Sequence, residues 1–399
     1  MVGAVGLLIV DDDPDLGALI QEIAEDLGFN TMVVREPERT IQAFRSLRPK
    51  VVILDLMMPG KDGIQILQQL ADEECECDLV IFSGADSRVI NTTARLAAWH
   101  GLPIKALLRK PIEVDDLVEV LEKLREPEQE ITEDELRSAL TDGMLSVHYQ
   151  PKVNLHCPRE WLVEGVECLA RWIHPEKGMI PPDAFISLAE RTGLIADLSD
   201  TIVDQALRFA GNLRRSGHEL DIAVNFSAQS LSDPGLPDRL ARKLAEHELY
   251  RSRLIIEITE SAAMANEPKI MENLTRFRLK GMHLSMDDFG TGYSSLVQLH
   301  RMPFSELKID KSFVLEAEAD QEAQIIIRSI TALAHNLGLR VCAEGVESHK
   351  SLRLLRSIGC EQAQGFLMSA PLPAEDLERF IVKQSRAGVE NGAPMVRQA

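Results

Sequence analysis

What most restricts this chain is an alternation of short apolar runs with amphipathic segments, which occurs twice and is broken once. Five runs, "GLLIV", "TMVV", "VVILDL", "DLVIFS" and "IKALL", lie between residues 5 and 124. Helical patterns such as "DLGALIQEIAEDLG" and "RTIQAFRSLR" separate them. Strand–helix pairs of this length predict a doubly wound, five-stranded parallel α/β domain over residues 1–124. The stretch "REPEQEITEDEL" is charged, contains Pro127 and has no apolar period, so a linker is expected over 125–134. Thr132 with Glu135 three residues later offers a capping box for a new helix. The alternation resumes over residues 135–385 with "LSVHYQPKV", "LVEGVECLARW", "DIAVNFS", "LIIEITE", "HLSMDD", "ELKID", "RVCAEGV" and "EQAQGFLM". Eight such units in about 250 residues predict a modified (β/α)8 barrel. Residues 386–399 carry no pattern and are expected to form a disordered tail.

Charge narrows the function classes. A net charge of −20 argues against non-specific binding to nucleic acid or to an anionic membrane. An anionic ligand therefore needs a local device such as metal ions. Six cysteines show neither zinc-type pairing nor a dense framework, so reduced thiols in a cytoplasmic protein are expected. The start "VGAVGLLIV" has no basic flank and runs into "DDD", which reads as a first strand and not a signal peptide. No apolar run approaches membrane-spanning length, so no membrane partner is expected.

In a doubly wound sheet, ligands sit beyond the carboxyl ends of the strands. There the first domain carries Asp11 and Asp12, Asp55, Ser83, and Lys110 before Pro111. Three carboxylates, a hydroxyl and an ammonium suit a Mg²⁺ ion beside an aspartate that accepts a phosphoryl group, with Ser83 and Lys110 on its oxygens. Helix capping explains one of Asp12 and Asp13 but not the five together. These residues, with the whole of 5–124, resemble the receiver domain of two-component response regulators, a flavodoxin-like fold. The resemblance implies that Asp55 is the phosphoacceptor, that Asp11 and Asp12 help hold Mg²⁺, that Lys110–Pro111 is a cis peptide, and that a cognate sensor histidine kinase exists. Leu107 stands where the receiver pattern has an aromatic residue.

Barrels place chemistry at the C-terminal ends of their strands. Read in order, those ends give Glu167, Asn225, Glu257, Asp287 with Asp288, Asp310 and Glu344, with Lys308 in the sixth strand and Gln364 in the last. Oxygen ligands without a His or Cys cluster specify hard divalent cations, Mg²⁺ or Mn²⁺. Adjacent like charges at Asp287 and Asp288 are tolerable if two such ions share them. In "VECLAR", Glu167, Leu169 and Arg171 point to one side, offering a metal carboxylate, an apolar contact and a guanidinium for phosphate. Two metals at such a mouth can polarise a phosphodiester and activate water, with Glu344 as base or second-metal ligand and Lys308 as charge stabiliser. Glu257 or Asp310 taken singly reads as a cap or an ion-pair partner; taken jointly, the ring reads as a metal site. His174 and His335 have no ligand partner at useful spacing and read as structural.

This second constellation resembles the EAL family of cyclic di-GMP phosphodiesterases over essentially all of 135–385, a TIM-type barrel. Its signature triplet stands here as Glu167–Cys168–Leu169, with Cys168 in the usual alanine's place and expected to face away from Glu167. "YQPKV", "VNFS", "EITES", "DDFGTGYSSL", "LKID", "AEGVE" and "QGF" match its other motifs. The resemblance implies a first metal on Glu167, Asn225, Glu257 and Asp287, and a second on Asp287 and Asp288, with Lys308 and Glu344 at the attacking water. Gln150, Leu169, Arg171, Asp288 and Gln364 would contact the dinucleotide. Glu260 would anchor the loop "GTGYSS", opposite Glu347, with Asp310 helping to organise it. It further implies a response regulator that cuts cyclic di-GMP to linear pGpG and pairs through its barrels. A barrel that only holds the dinucleotide would lack a metal carboxylate or the base, and none is missing. An enolase-type proton abstraction leaves Arg171, the Asp pair and the loop unexplained. A DNA-acting regulator is opposed by the charge and by the lack of a helix-turn-helix segment.

Overall fold

The computed structural model describes residues 5–73, 75, 77–84, 92–93, 96–97, 99–102, 104–125, 131–157, 161–264, 268–290 and 296–390. The chain divides into two compact units, Met1–Glu130 and Ile131–Ala399. The first holds strands β1 (Gly6–Val10), β2 (Asn30–Val34), β3 (Val51–Asp55), β4 (Asp78–Ser83) and β5 (Ile104–Arg109) in one sheet of order β2-β1-β3-β4-β5. All pairings are parallel. Successive residues serve opposite faces. Leu8, Val10, Val52 and Leu54 pack with Ile66 and Leu70 of the helix Gly63–Asp72. Leu7, Ile9, Val51 and Ile53 pack with Ile20 and Leu117 of the helices Pro14–Asp26 and Val114–Arg125. Covering both faces is what makes these strands continuously apolar.

The second unit holds β6 (Leu145–Asn154), β7 (Val163–His174), β8 (Gly178–Ile180), β9 (Asp221–Asn225), β10 (Leu254–Thr259), β11 (His283–Phe289), β12 (Glu306–Ile309), β13 (Arg340–Ala343) and β14 (Gln362–Ala363). The ring closes through β6, which pairs with β14 on one side and β7 on the other. Eight strands form the barrel, and β8 extends β7 as a short antiparallel flap. β6 is antiparallel to both neighbours, whereas the other ring pairings are parallel. Among the described residues no helix lies between β6 and β7, and a parallel crossover needs a dozen or more residues. The short connection therefore reverses the chain.

Alternation along the barrel strands sorts apolar from polar. Val166, Ile256, Ile258, Leu284, Met286, Leu307, Ile309 and Val341 face the helices and join one core cluster. Each fully buried side chain of this kind contributes about 1.5–3 kcal/mol. The intervening positions Glu167, Glu257, Ser285, Asp287, Glu306 and Lys308 are buried but polar. Cys168 falls in the apolar set, packed in the core away from Glu167's face.

The helix Glu133–Thr141 begins with the expected capping box on Thr132 and Glu135. The helix Ala374–Glu390 runs past the limit of 385 expected from pattern, and residues 391–399 lie outside the described residues. One expectation is corrected: Cys75 and Cys77 are joined by a disulfide, and only Cys157, Cys168, Cys342 and Cys360 are free. Their Cα atoms are 5.4 Å apart, within bridging range. A bridge between residues two apart escapes a reading that looks for zinc-type pairs or a dense framework. Among the described residues, no helix is long and apolar enough to cross a membrane.

Candidate functional sites

In the first unit the carboxyl ends of the strands bring Asp11, Asp12, Asp55, Ser83 and Lys110 to one edge. Lys110 Nζ lies 2.8 Å from Asp11 Oδ2 and 2.6 Å from Asp55 Oδ2. Burial alone would lower the ammonium's pKa, but Asp11 and Asp55 hold it above its ordinary value. Asp11, Asp12 and Asp55 each offer an oxygen within 4.8 Å of the others. Capping falls to Asp13, whose carboxylate accepts from the N–H groups of Asp15 and Leu16, so Asp12 is left to the cluster. Asp55 and Ser83 are buried, and Lys110–Pro111 is cis. Leu107 is half-exposed on β5.

The barrel gathers its charges around Lys308. Its Nζ lies 2.6 Å from Glu344 Oε1, 3.0 Å from Asp287 Oδ1, 3.2 Å from Glu257 Oε2 and 3.3 Å from Glu167 Oε2. Asn225 Nδ2 donates to Glu167 Oε1 at 2.9 Å, and Gln364 Nε2 donates to Glu167 Oε2 at 2.6 Å. Two groups of three carboxylates result, Glu167–Glu257–Asp287 and Asp287–Asp288–Glu344, each with oxygens within 4.8 Å of one another. Asp287 belongs to both.

Adjacent residues on a regular strand point to opposite faces. Asp287 and Asp288 escape this because the β11–β12 register shifts between Met286 and Phe289, and Asp288 takes a left-handed backbone with φ 54°. Such a bulge re-aims a side chain at a barrel rim. Asp310 caps the helix Lys311–Glu316 through the Ser312 N–H and also hydrogen-bonds Asp288. Glu260 is buried and accepts the Gly290 N–H at 3.0 Å, fixing the chain where β11 ends. Glu347 is exposed. The rest of the "GTGYSS" loop, residues 291–295, lies outside the described residues.

One ammonium facing four carboxylates leaves the ring strongly acidic. Burial, with Asp287 and Glu167 adding to it, pushes Glu344 up to about 8 despite Lys308. Burial and Glu167 push Glu257 up to about 7. Burial, Asp287 and Asp310 raise Asp288 to about 6. Glu167 goes the other way: burial opposes it, but Lys308, Lys152, Gln364 and Asn225 bring it down to about 2.

The β6–β7 ladder makes a wall beside this ring. Gln150 sits opposite Glu167, so the two share a face with Leu169 and Arg171. Gln150 Nε2 donates to the Ser369 carbonyl at 3.3 Å. Two buried charges that the motifs did not single out are Lys152 and Glu306, each two residues from a predicted site residue on its own strand. A period-two count from Gln150 and from Lys308 would have found both. His174 accepts the N–H groups of Glu176 and Lys177, and His335 pairs with Glu361, both apart from the ring.

Comparison with known proteins places both units. The model of the EAL domain matches residues 133–371, and that of the response regulator receiver domain matches 7–122. The chain is 32% identical to the cyclic di-GMP phosphodiesterase RocR of Pseudomonas aeruginosa, over 82% of this chain and 85% of RocR. It is 43% identical to the bifunctional diguanylate cyclase/cyclic di-GMP phosphodiesterase MucR of the same organism over 61% of this chain. The chain spans about a third of the length of MucR and of NbdA, a second such relative. Among solved structures, a PaMucR phosphodiesterase in complex with c-di-GMP superposes with a TM-score of 0.58, at 43% identity, covering 61% of this chain and 98% of that one. The chain belongs to the EAL domain family and carries a response regulator receiver domain ahead of its EAL barrel.

Proposed function

We propose that the barrel hydrolyses cyclic di-GMP to linear pGpG with two divalent cations, Mg²⁺ or Mn²⁺, and that phosphorylation of Asp55 regulates it. One observation carries the reading. A single carboxylate, Asp287, belongs to two separate three-carboxylate groups, the arrangement that a pair of neighbouring ions requires. The donor set fits hard cations, since among the described residues neither group includes His or Cys. Gln364 Oε1 adds a buried carbonyl oxygen with no hydrogen-bond partner of its own. Glu167, Asn225, Glu257 and Asp287 would hold one ion, and Asp287, Asp288 and Glu344 the other. Bound there, the ions supply Lewis-acid polarisation of a phosphodiester and a water acidic enough to attack it at neutral pH.

The chain's own groups do the rest. Arg171 and Gln150 hold the dinucleotide against the β6–β7 wall, with Leu169 under it and Gln364 beside Glu167. Water adds to phosphorus as the bond to the leaving ribose oxygen breaks; the water's proton passes to the Glu344 carboxylate and on to solvent, and the leaving oxygen takes a proton from solvent water to become the free hydroxyl. Glu344 is placed for that task by its position at the rim of the ring, 2.6 Å from Lys308 and within the Asp287–Asp288–Glu344 group. Lys308, fixed among four carboxylates, offsets charge that develops on the phosphoryl oxygens. RocR's name and its match along most of both chains support this reading.

In the receiver, Asp55 would accept the phosphoryl group from a cognate histidine kinase, with Mg²⁺ on Asp11 and Asp12. The signal would alter receiver packing or barrel pairing in a homo-oligomer, and so the state of the loop after Asp288. Chromatography of cyclic di-GMP after incubation with the protein and Mg²⁺ or Mn²⁺, beside Glu344→Ala, tests the activity. Expected is pGpG from the intact protein and none from the variant. Dinucleotide recovered bound but uncut would make the barrel a receptor and overturn the proposal.

A further inference from the structure

Beneath the carboxylate ring lies a second polar layer that the proposed chemistry does not use. Lys152 is 1% exposed and Glu306 0%, so neither serves solvent or substrate directly. Lys152 Nζ lies 2.5 Å from Glu257 Oε1 and 3.6 Å from Glu306 Oε1. Glu306 is held in turn by the Ser285 hydroxyl, which donates to its Oε1 at 2.9 Å, and by Arg340, whose Nη2 is 3.3 Å from its Oε2. Glu257 is thereby gripped from two sides. Its Oε1 meets Lys152 below, and its Oε2 meets Lys308 at 3.2 Å in the mouth.

From this geometry we infer that Lys152, seated on Glu306, is a positioning residue for the metal site: it fixes Glu257 so that only Oε2 is presented to the ring. The inference rests on the two-metal reading of that ring. Without the lower lysine, a carboxylate at the end of three rotatable bonds could turn either oxygen, or both, toward the mouth. Ligand-orienting contacts of this kind are worth about 10–100-fold in metal affinity. Charge balance alone is the competing account, since an interior Glu306 needs a cation nearby. The two accounts part in a double variant. Lys152→Met with Glu306→Gln removes one positive and one negative charge, keeps the side-chain length at 306, shortens that at 152 by one heavy atom, and leaves an amide oxygen for Ser285. Yet it cannot hold Glu257 Oε1.

The test compares wild type, Lys152→Met and Lys152→Met/Glu306→Gln by Mn²⁺ titration followed by electron paramagnetic resonance, by thermal melting and by steady-state hydrolysis. If Lys152 positions Glu257, the double variant melts close to wild type, binds Mn²⁺ about 10–100-fold more weakly, and loses kcat while its KM for cyclic di-GMP stays within about twofold. A double variant that binds Mn²⁺ and turns over like wild type overturns the inference and leaves the lysine a counter-ion, even if the single variant fails to fold. Failure of wild type to bind Mn²⁺ is a separate result, because it overturns the two-metal reading before any variant is compared.

Discussion

Raising the pH from about 6.5 to about 9 should tighten Mn²⁺ binding to the barrel by about 100-fold. The titrating groups are Glu344 and Glu257, pushed up by burial to about 8 and about 7. Both must be ionised to act as ligands. At about pH 6.5, ionising the first costs about 2 kcal/mol and the second about 0.8 kcal/mol; near pH 9 both costs nearly vanish. The difference of about 2.8 kcal/mol is the 100-fold. The same protons fix the sign of the stability effect. Both carboxyls bind protons more tightly folded than unfolded, where the ordinary value is 4.5. Their contribution is therefore complete below about 4.5 and is lost as the pH rises through about 7 and 8, so the metal-free barrel weakens over that window. Mn²⁺ should restore stability most at the alkaline end. Paramagnetic resonance titrations give the affinities, and calorimetry in buffers of different ionisation enthalpy counts the protons released. An affinity that stays flat across the range, with no proton release, would refute the argument.

Three further outcomes follow from the geometry. Lys308→Met should lower kcat for cyclic di-GMP by about 10²–10³, with little change in KM, because its ammonium is fixed where charge develops; steady-state kinetics at saturating Mn²⁺ decide it. Asp55→Asn should take up no phosphate from a small-molecule acyl-phosphate donor, whereas wild type gains one phosphoryl group by intact mass. Equal turnover of the two proteins in the presence of donor would remove the regulatory coupling. Gly345 has φ 66°, and a Cβ there would sit 2.5 Å from Lys311 Cβ, so Gly345→Ala should cost about 1–3 kcal/mol of stability and displace the adjacent Glu344. Thermal melting and hydrolysis rates should fall together, and an active variant with unchanged melting would show that the turn can relax.

Much of the architecture was legible because it depends on period. Two-sided burial makes "VVILDL" and "DLVIFS" continuously apolar, while the barrel's "LIIEIT" and "HLSMDD" interleave polar positions with apolar ones, and both patterns survive in the chain as written. The ring of Glu167, Glu257, Asp287, Lys308 and Glu344 was legible for the same reason: strand ends can be counted. What could not be counted was register. Nothing in "MDDF" announces that β11 bulges there or that Asp288 adopts a positive φ, because both follow from pairing with β12. The Cys75–Cys77 bridge depends on a local backbone separation rather than on spacing rules. Lys152 and Glu306 were hidden by a prior that is usually sound, namely that isolated Lys and Glu are solvated.

The direction of β6 matters most for how this site is built, and the pattern of apolar residues does not encode it. Gln150 and Lys152 sit two apart on one face of a strand that runs against β7, so Gln150 faces Glu167 while Lys152 faces Gly165, further from the mouth. Had β6 run parallel to β7 like the rest of the ring, the later residue of the pair would lie nearer the mouth. The ammonium would then stand at the rim and the amide below it. The reversal places the neutral amide where a nucleotide can be held, and the buried cation where it can meet Glu257 and Glu306. The short connection between β6 and β7 is thus more than an irregularity of a (β/α)8 fold. By turning one strand over, it puts a lysine beneath a carboxylate that must face upward, and this supports an acidic mouth that would otherwise be costly to close.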